Sequence, residues 1–536
     1  MKAQKESEGL KANEGSSSAL KSLLLRQSFF QASVLLIFFS FLSKVLGYAR
    51  EMAIAGYFGA RYFTDAFFLA QVIPVLGASF ITLAFPLAFI PVYASLKERS
   101  EEEAERFASA IFWGVISYLL LFCLVIFAVS SPLTKLIARG FSGEQVVLTQ
   151  RFLVSLLPLV IFQALAGFFI AYLQAQKHFL LPALAFALTN IPILFFIFLL
   201  APKMPFYSLV LGFNAGYFLQ FIILFPVALY FGFKPFLSFD ITQPLVVRFL
   251  IMILPIVIGS SLSYIDMLIA RSVASTLGEG VISALNYSYR LMGVPLGLMA
   301  GSITTAVFPF MSSKAVVDRE GLAKETMRGL YASWFVSLPI GVIFFVLAEP
   351  IVRVMFQRGA FTPEATRVTA DMLRFFSLGI PAMVAWNIAT RAFYSLQDTI
   401  TPLKVGVIQI GIDISLLLTL PKLIGYKGLP LATALSISIG FLVLWNILRG
   451  KLPELKRENI MLTFLKGLSM SIGQGLFVYL LYHFLWSSHK WRSVQELAIL
   501  FITSLAGFAL YFMVGFWGKY PYLEQVKKKM IKIMLK

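Results

Sequence analysis

A chain of 536 residues with one cysteine, three histidines and only 13% charged residues holds few of the reagents that enzymes use. Cys123, being alone, excludes an intrachain disulfide and a thiolate metal site within one chain, and reads as a small core residue. His178, His483 and His489 stand at expected helix ends without the close spacing of a zinc site. No Gly-rich loop runs into Lys-Ser or Lys-Thr, so a P-loop ATPase is excluded. Acidic residues are scarce too, 26 against 45 Lys and Arg, for a formal charge of +19.

What the chain has instead is apolar surface. Hydrophobic residues make up 59% of it, 54 of them Phe, and mean hydropathy is +0.83. No soluble domain of this length has such a composition. Stretches of about 20 apolar residues, enough to cross about 30 Å of hydrocarbon, recur about fourteen times. The expected spans are Phe29–Phe58, Thr64–Ala94, Phe107–Val129, Phe152–Ala175, Phe179–Leu200, Tyr207–Phe231 and Leu245–Ser275, then Val281–Ser312, Leu330–Leu347, Thr369–Tyr394, Pro402–Ile424, Leu429–Leu448, Leu462–Leu485 and Val494–Trp517. Pro74, Pro86, Pro91, Pro295 and Pro309 lie inside apolar runs, where they kink a membrane helix without ending it. The expected fold is an all-α polytopic bundle.

With the first residues inside, the inner segments hold roughly twice as many Lys and Arg as the outer ones. Both termini are then cytoplasmic, in keeping with an even number of spans. Residues 1–28, polar and rich in Lys, Glu and Ser, read as a disordered cytoplasmic tail. Residues 519–536 read as a basic tail on the inner membrane surface, with Lys527, Lys528 and Lys529 among anionic head groups. The basicity is thereby accounted for by membrane lipids, and no nucleic acid is called for.

Charges inside spans are costly in lipid and mark substrate or ion paths. Lys44, Arg50 and Glu51 lie in the first span, Asp65 starts the second, Asp266 lies in the seventh, Arg290 in the eighth and Asp413 in the eleventh. Lys44 precedes Arg50 by close to two helical turns and so faces roughly the same side. Asp65 also suits the dipole at its own helix start, with Thr64 as cap. Gln409 stands one turn before Asp413, and Thr433 lies near the start of the twelfth span. Two carboxylates with amide and hydroxyl oxygens suit a hard monovalent cation such as sodium, or a shared proton. Sodium, protons and the membrane potential are the candidate driving forces, with no organic cofactor and no other metal.

A weak internal repeat links AREMAIAGYFGARYFTDAFFLAQVIP, ending at Pro74, with IDMLIARSVASTLGEGVISALNYSYRLMGVP, ending at Pro295. Such repeats are common in transporters. They divide the chain into a six-helix bundle over 29–231, a second over 232–448, and two extra helices over 449–518.

The run SKVLGYAREMAIAGYFGARYFTDAFFLA (Ser43–Ala70) resembles the opening of the MurJ/MviN proteins, which belong with the multidrug and oligosaccharidyl-lipid exporters. Further similarity lies in YRLMGVPLGLMAGSITTAVFP (Tyr289–Pro309), MFQRGAFT (Met355–Thr362) and RAFYSLQDTITPLK (Arg391–Lys404). The resemblance implies a flippase, not an enzyme, that moves the undecaprenyl-pyrophosphate-linked precursor lipid II across the bacterial cytoplasmic membrane, in the company of cell-wall synthesis proteins. It implies functional cations at Lys44, Arg50 and Arg290, a cation site in the second half, and a lipid-tail groove on the last two spans. Arg50 is the best candidate for the pyrophosphate, because guanidinium matches two phosphate oxygens at once. Glu51 is then a partner of Arg50, Lys44 or Arg290 that substrate releases.

Three departures stand out: Lys44 where the family more often has Arg, no Arg in VIPVLGASFITLAFP (Val72–Pro86), and Tyr289 where an acid often precedes the arginine. They leave room for an exporter of another lipid-linked oligosaccharide. A drug or cation antiporter of the same fold is a second reading, and a scaffold for envelope synthesis a third. Cationic residues at mid-membrane favour an anionic cargo over both of these.

Overall fold

The computed structural model describes residues 29–236, 238–240, 244–315, 318–457, 459–487 and 493–524. The N-terminal tail and most of the C-terminal tail expected from the sequence lie outside these residues. Among the described residues all regular structure is helical. In the first half run α1 (Phe29–Phe58), α2 (Tyr62–Lys97), α3 (Glu101–Ala128), α4 (Ser130–Ile137), α5 (Glu144–Ala175), α6 (Leu180–Leu200), α7 (Pro205–Tyr230) and α8 (Pro244–Ala274). In the second run α9 (Val281–Ala315), α10 (Arg319–Val346), α11 (Ala348–Phe356), α12 (Pro363–Ser395), α13 (Ile400–Ile424), α14 (Gly428–Lys451), α15 (Ile460–Ser487) and α16 (Ser493–Trp517). The 8-residue α4 and 9-residue α11 are far too short to cross a bilayer. Among the described residues fourteen long helices remain, the number read from the sequence.

Ten stretches among the described residues are long and apolar enough to span, and one of them, Ile400–Lys451, holds two helices. The other long helices, α1, α8 and α9, carry Arg50, Asp266 and Arg290. The chain is an all-α, multi-pass membrane protein.

Several helices start earlier than their apolar runs, because caps hold polar first turns in place. Ser100 accepts from the Glu103 N–H ahead of α3, whose first turn carries three glutamates that favour the dipole. Asp318 caps α10 through the Gly321 N–H, and Thr362 caps α12 through the Ala365 N–H with Pro363 at the first helical position. Within α2, a five-residue π turn at Phe80–Ala84 sits between Pro74 and Pro86 and lets the helix continue as one rod.

The described residues divide by contact into two compact units: those within Met1–Ile54, Ile73–Ser130 and Phe152–Ser261 form the first, and those within Ala55–Val72, Ser131–Arg151 and Leu262–Lys536 the second. The first unit is cored by aromatic rings, with Phe89 stacked on Phe85 and Tyr93 and edge-on packing of Phe249 against Phe85 and Phe107. Buried Glu105 accepts hydrogen bonds from the hydroxyls of Tyr93 and Tyr172 and so ties α2, α3 and α5 together. In the second unit α10, α12 and α14 pack around Trp334, Phe393, Phe441 and Trp445. The α15–α16 hairpin is fastened by Arg353 of α11, which donates to Glu496 at 2.9 Å while lying over the Trp486 ring.

Candidate functional site

Three clusters gather five of the seven charges that the sequence places inside spans, Arg50, Glu51, Asp65, Asp266 and Asp413, and leave Lys44 and Arg290 outside them. In the first unit, α1 carries Arg50 and Glu51 on adjacent positions. Arg50 donates from Nη2 to Glu51 Oε1 at 2.8 Å and from Nη1 to Asn190 Oδ1 at 3.0 Å, with its guanidinium 5.4 Å from the centre of the Phe213 ring. Glu51 is 3% exposed, so the pair is held in a dry setting where charge and hydrogen bond reinforce each other. Nε of Arg50 has no partner among the described residues.

Asn190 reaches Arg50 because α6 and α7 pack closely. A Cβ on Gly216 would fall 2.5 Å from the Thr189 carbonyl oxygen, and one on Gly212 would fall 3.2 Å from the Ile193 Cα. Gly-xxx-Gly on α7 therefore lets the two backbones approach, as small residues do between membrane helices. The sequence reading missed Asn190, and this Gly212–Gly216 spacing beside it was the available signal. Lys44 is exposed, with no ion pair or hydrogen bond among the described residues.

The second cluster, in the second unit, joins the turn into α2 with the turn into α9. Asp65 is fully buried, and its carboxylate accepts from the Gly280 N–H at 2.6 Å, the Ser283 N–H at 2.7 Å and the Ser283 hydroxyl at 2.6 Å. The acid expected to serve the dipole of its own helix thus caps α9. In return Glu279 accepts the Tyr62 N–H of α2 at 3.1 Å, while Thr64 closes the local turn onto Gly59 and Arg61. Arg271 of α8 donates to the Phe68 carbonyl and, at 3.0 Å, to Asn286.

Here the repeat acquires a register. At a constant offset of 221 residues Arg50 corresponds to Arg271, Gly59 to Gly280, Asp65 to Asn286 and Pro74 to Pro295. Gly59 and Gly280 both have φ in the left-handed region, at +71° and +82°. Arg271, which the sequence reading passed over, was legible from this offset. The MFQRGAFT stretch docks on the same turn: the Ala360 N–H donates to the Gly56 carbonyl at 2.7 Å. A Cβ on Gly359 would lie 2.2 Å from that oxygen, so glycine is required for approach as well as for its φ of +56°. Arg290 and Tyr289 are exposed on α9, Tyr289 packing its ring against Phe376 at 5.8 Å.

The third cluster brings together α8, α13 and α14. Asp266 and Asp413 lie against each other, with Thr433 and Ser436 beside Asp413, and the Ser436 hydroxyl donates to the Thr433 carbonyl at 3.1 Å. Gln409 donates to the Ser436 hydroxyl at 3.1 Å and packs over Gly440, where a Cβ would fall 2.8 Å from its Cγ. The structure thus assembles Asp266, Gln409, Asp413 and Thr433 and adds Ser436, one turn beyond Thr433. Oδ1 of each aspartate is buried without a partner among the described residues. Two such oxygens on adjoining carboxylates fit a small cation.

A sequence profile of the family described as lipid II flippase MurJ matches residues 54–502. The chain belongs to that family. A MurJ relative from Burkholderia cenocepacia, a lipid II flippase, is 27% identical over 521 residues, covering 93% of this chain and 99% of its own. A probable MurJ flippase from Buchnera aphidicola is 29% identical over 432 residues, 78% of this chain and 83% of its own. A solved MurJ structure in an inward closed conformation superposes with a TM-score of 0.78 at 25% identity, covering 90% of this chain and 99% of that one. An inward-facing multidrug transporter of the MATE family shares the fold at a TM-score of 0.61 and 14% identity, covering 80% of this chain and 99% of that one.

Proposed function

We propose that this chain flips lipid II across the bacterial cytoplasmic membrane by alternating access, with both termini in the cytoplasm. The observation that carries the reading is part-buried Arg50, held at two donor positions by Glu51 and Asn190. Phosphate oxygens can take both positions with the same bidentate geometry. A pyrophosphate would displace Glu51 from the guanidinium, and the released carboxylate would then report that substrate has arrived. Family membership supports the same cargo, and cationic side chains inside spans favour an anionic lipid over a cationic drug.

The aspartate pair supports coupling to sodium or protons. Two adjoining buried carboxylates repel each other unless a proton or a cation sits between them. Asp266, Asp413, Gln409, Thr433 and Ser436 would hold the ion, which supplies positive charge where two negative groups meet. Its effect on the open states equals its difference in affinity for them.

The test is growth of cells depleted of their only lipid II flippase. The chain is expected to restore growth and its Arg50→Ala variant to fail. A wild-type chain that inserts but gives no rescue would overturn lipid II as the cargo and leave another lipid-linked sugar.

A further inference from the structure

Along α8 and α13, past Asp266 and Asp413, lies an open groove of about 350 Å³. Ile269 and Val273, one turn apart on α8, form one wall with Leu277 in the turn just past the helix, and Ile414, Leu418 and Pro421 form the other on α13. Each wall begins beside a carboxylate: Ile269 is one turn past Asp266, and Ile414 follows Asp413. At the mouth stand two cations, Arg139 and Lys422, with no acidic side chain among the lining residues. Lys422 is exposed in the last turn of α13.

The position of Arg139 is built in. The neighbouring Gly140 N–H donates to Ser275 Oγ at 3.1 Å, and a Cβ on Gly140 would fall 2.1 Å from the Ser275 carbonyl oxygen. Backbone contact therefore pins the turn carrying Arg139 to the end of α8. Among the described residues Arg139 bonds through Nε, to Leu136 O, which leaves its outer guanidinium nitrogens for the groove mouth.

An apolar slot along two membrane helices, closed by a fork and an ammonium at the helix ends, has the layout of a lipid: chain in the slot, phosphate at the cations. We infer that this groove binds one anionic phospholipid of the phosphatidylglycerol kind, its phosphate between Arg139 and Lys422 and an acyl chain between α8 and α13. With both termini cytoplasmic, these helix ends lie in the outer leaflet. A chain seated there fixes the spacing of α8 and α13, and with it the distance between Asp266 and Asp413, so the lipid tunes the aspartate pair whatever the cargo is.

The experiment is native mass spectrometry of the full chain in neutral detergent, titrated with phosphatidylglycerol or with phosphatidylcholine of the same acyl chains. The wild type is expected to retain one phosphatidylglycerol in preference, and R139Q/K422Q to bind it about thirtyfold more weakly. Leu418→Trp, which fills the slot and keeps both cations, is expected to lose the lipid as well and guards against a misfolded double variant. Equal retention of the two lipids by the wild type overturns the site, as does undiminished binding by either variant. Competition by chain-free glycerophosphoglycerol as strong as by the intact lipid also overturns it, in favour of a head-group anion site.

Discussion

Asp65 and Gly280 meet across 215 residues of sequence, carboxylate oxygen to backbone N–H, at 2.6 Å. The acid sits one turn into α2 and the glycine one residue ahead of α9, so one helix start is capped by the other. Glu279 returns the bond to Tyr62, which makes the joint reciprocal. Cutting one side leaves orphan N–H groups at a helix terminus, where each lost cap costs about 1 kcal/mol.

Asp65→Ala is expected to loosen this joint and Asp65→Asn to loosen it less, since the amide keeps one acceptor oxygen. The measure is alkylation of a cysteine at Ser283, faster in the alanine variant than in Ser283→Cys alone. Unchanged alkylation would mean that the cap is dispensable to the joint.

Gly359→Ala is expected to lower thermal stability well beyond Gly143→Ala. Both positions have φ near +50°, but a Cβ at Gly143 meets open space while one at Gly359 runs into the Gly56 carbonyl. Positive φ alone accounts for about 1 kcal/mol, and the clash adds to it. Equal melting temperatures for the two variants would refute the steric account.

Arg50→Ala is expected to weaken substrate binding more than tenfold, since a charge-assisted contact contributes about 1.5–3 kcal/mol. Arg50→Lys keeps the charge and loses the fork, so it should also do poorly. Asn190→Ala should fall between wild type and Arg50→Ala, because it frees one edge of the guanidinium without removing it. At Lys44 arginine should be tolerated and glutamate not. Binding by a labelled lipid-linked pyrophosphate ranks all five; a fully active Lys44→Glu would make that residue an interfacial anchor.

Asp266→Asn and Asp413→Asn are expected to flatten the response to sodium and to pH alike. Thr433→Val and Ser436→Ala should show milder versions, each removing a neutral oxygen. The readout is accessibility of cysteines placed at either membrane face across sodium and pH series. Wild-type responses in both Asn variants would make the aspartates structural.

Asp398 offers a pH test outside the spans. Burial alone would raise its carboxyl above the ordinary 3.8, but hydrogen bonds from Lys451 and Thr401 outweigh it and hold the group at about 2. A folded-state value below the unfolded one adds stability above pH about 4 and loses it as pH falls toward 2. Asp398→Asn should therefore melt below wild type at neutral pH, with the gap closing between pH 4 and 2.

Helix number and the placing of charge were legible along the chain, because both depend on local matters: an apolar run of bilayer length and a charge that interrupts it. Boundaries slipped where polar first turns precede the apolar run, at Glu101, Arg319 and Pro363, since hydropathy does not register a cap. Asp266, Gln409, Asp413 and Thr433 were chosen by residue type and do meet, because oxygen-rich side chains inside lipid have few places to go but each other. Which acceptor takes Arg50, which helix Asp65 caps, and that Ser436 completes the third cluster were decided only in three dimensions. The contacts that settle this are distant in sequence, Arg50 to Asn190 across 140 positions and Asp65 to Ser283 across 218, and close packing at Gly212, Gly216 and Gly440 lets α6 approach α7 and Gln409 approach α14.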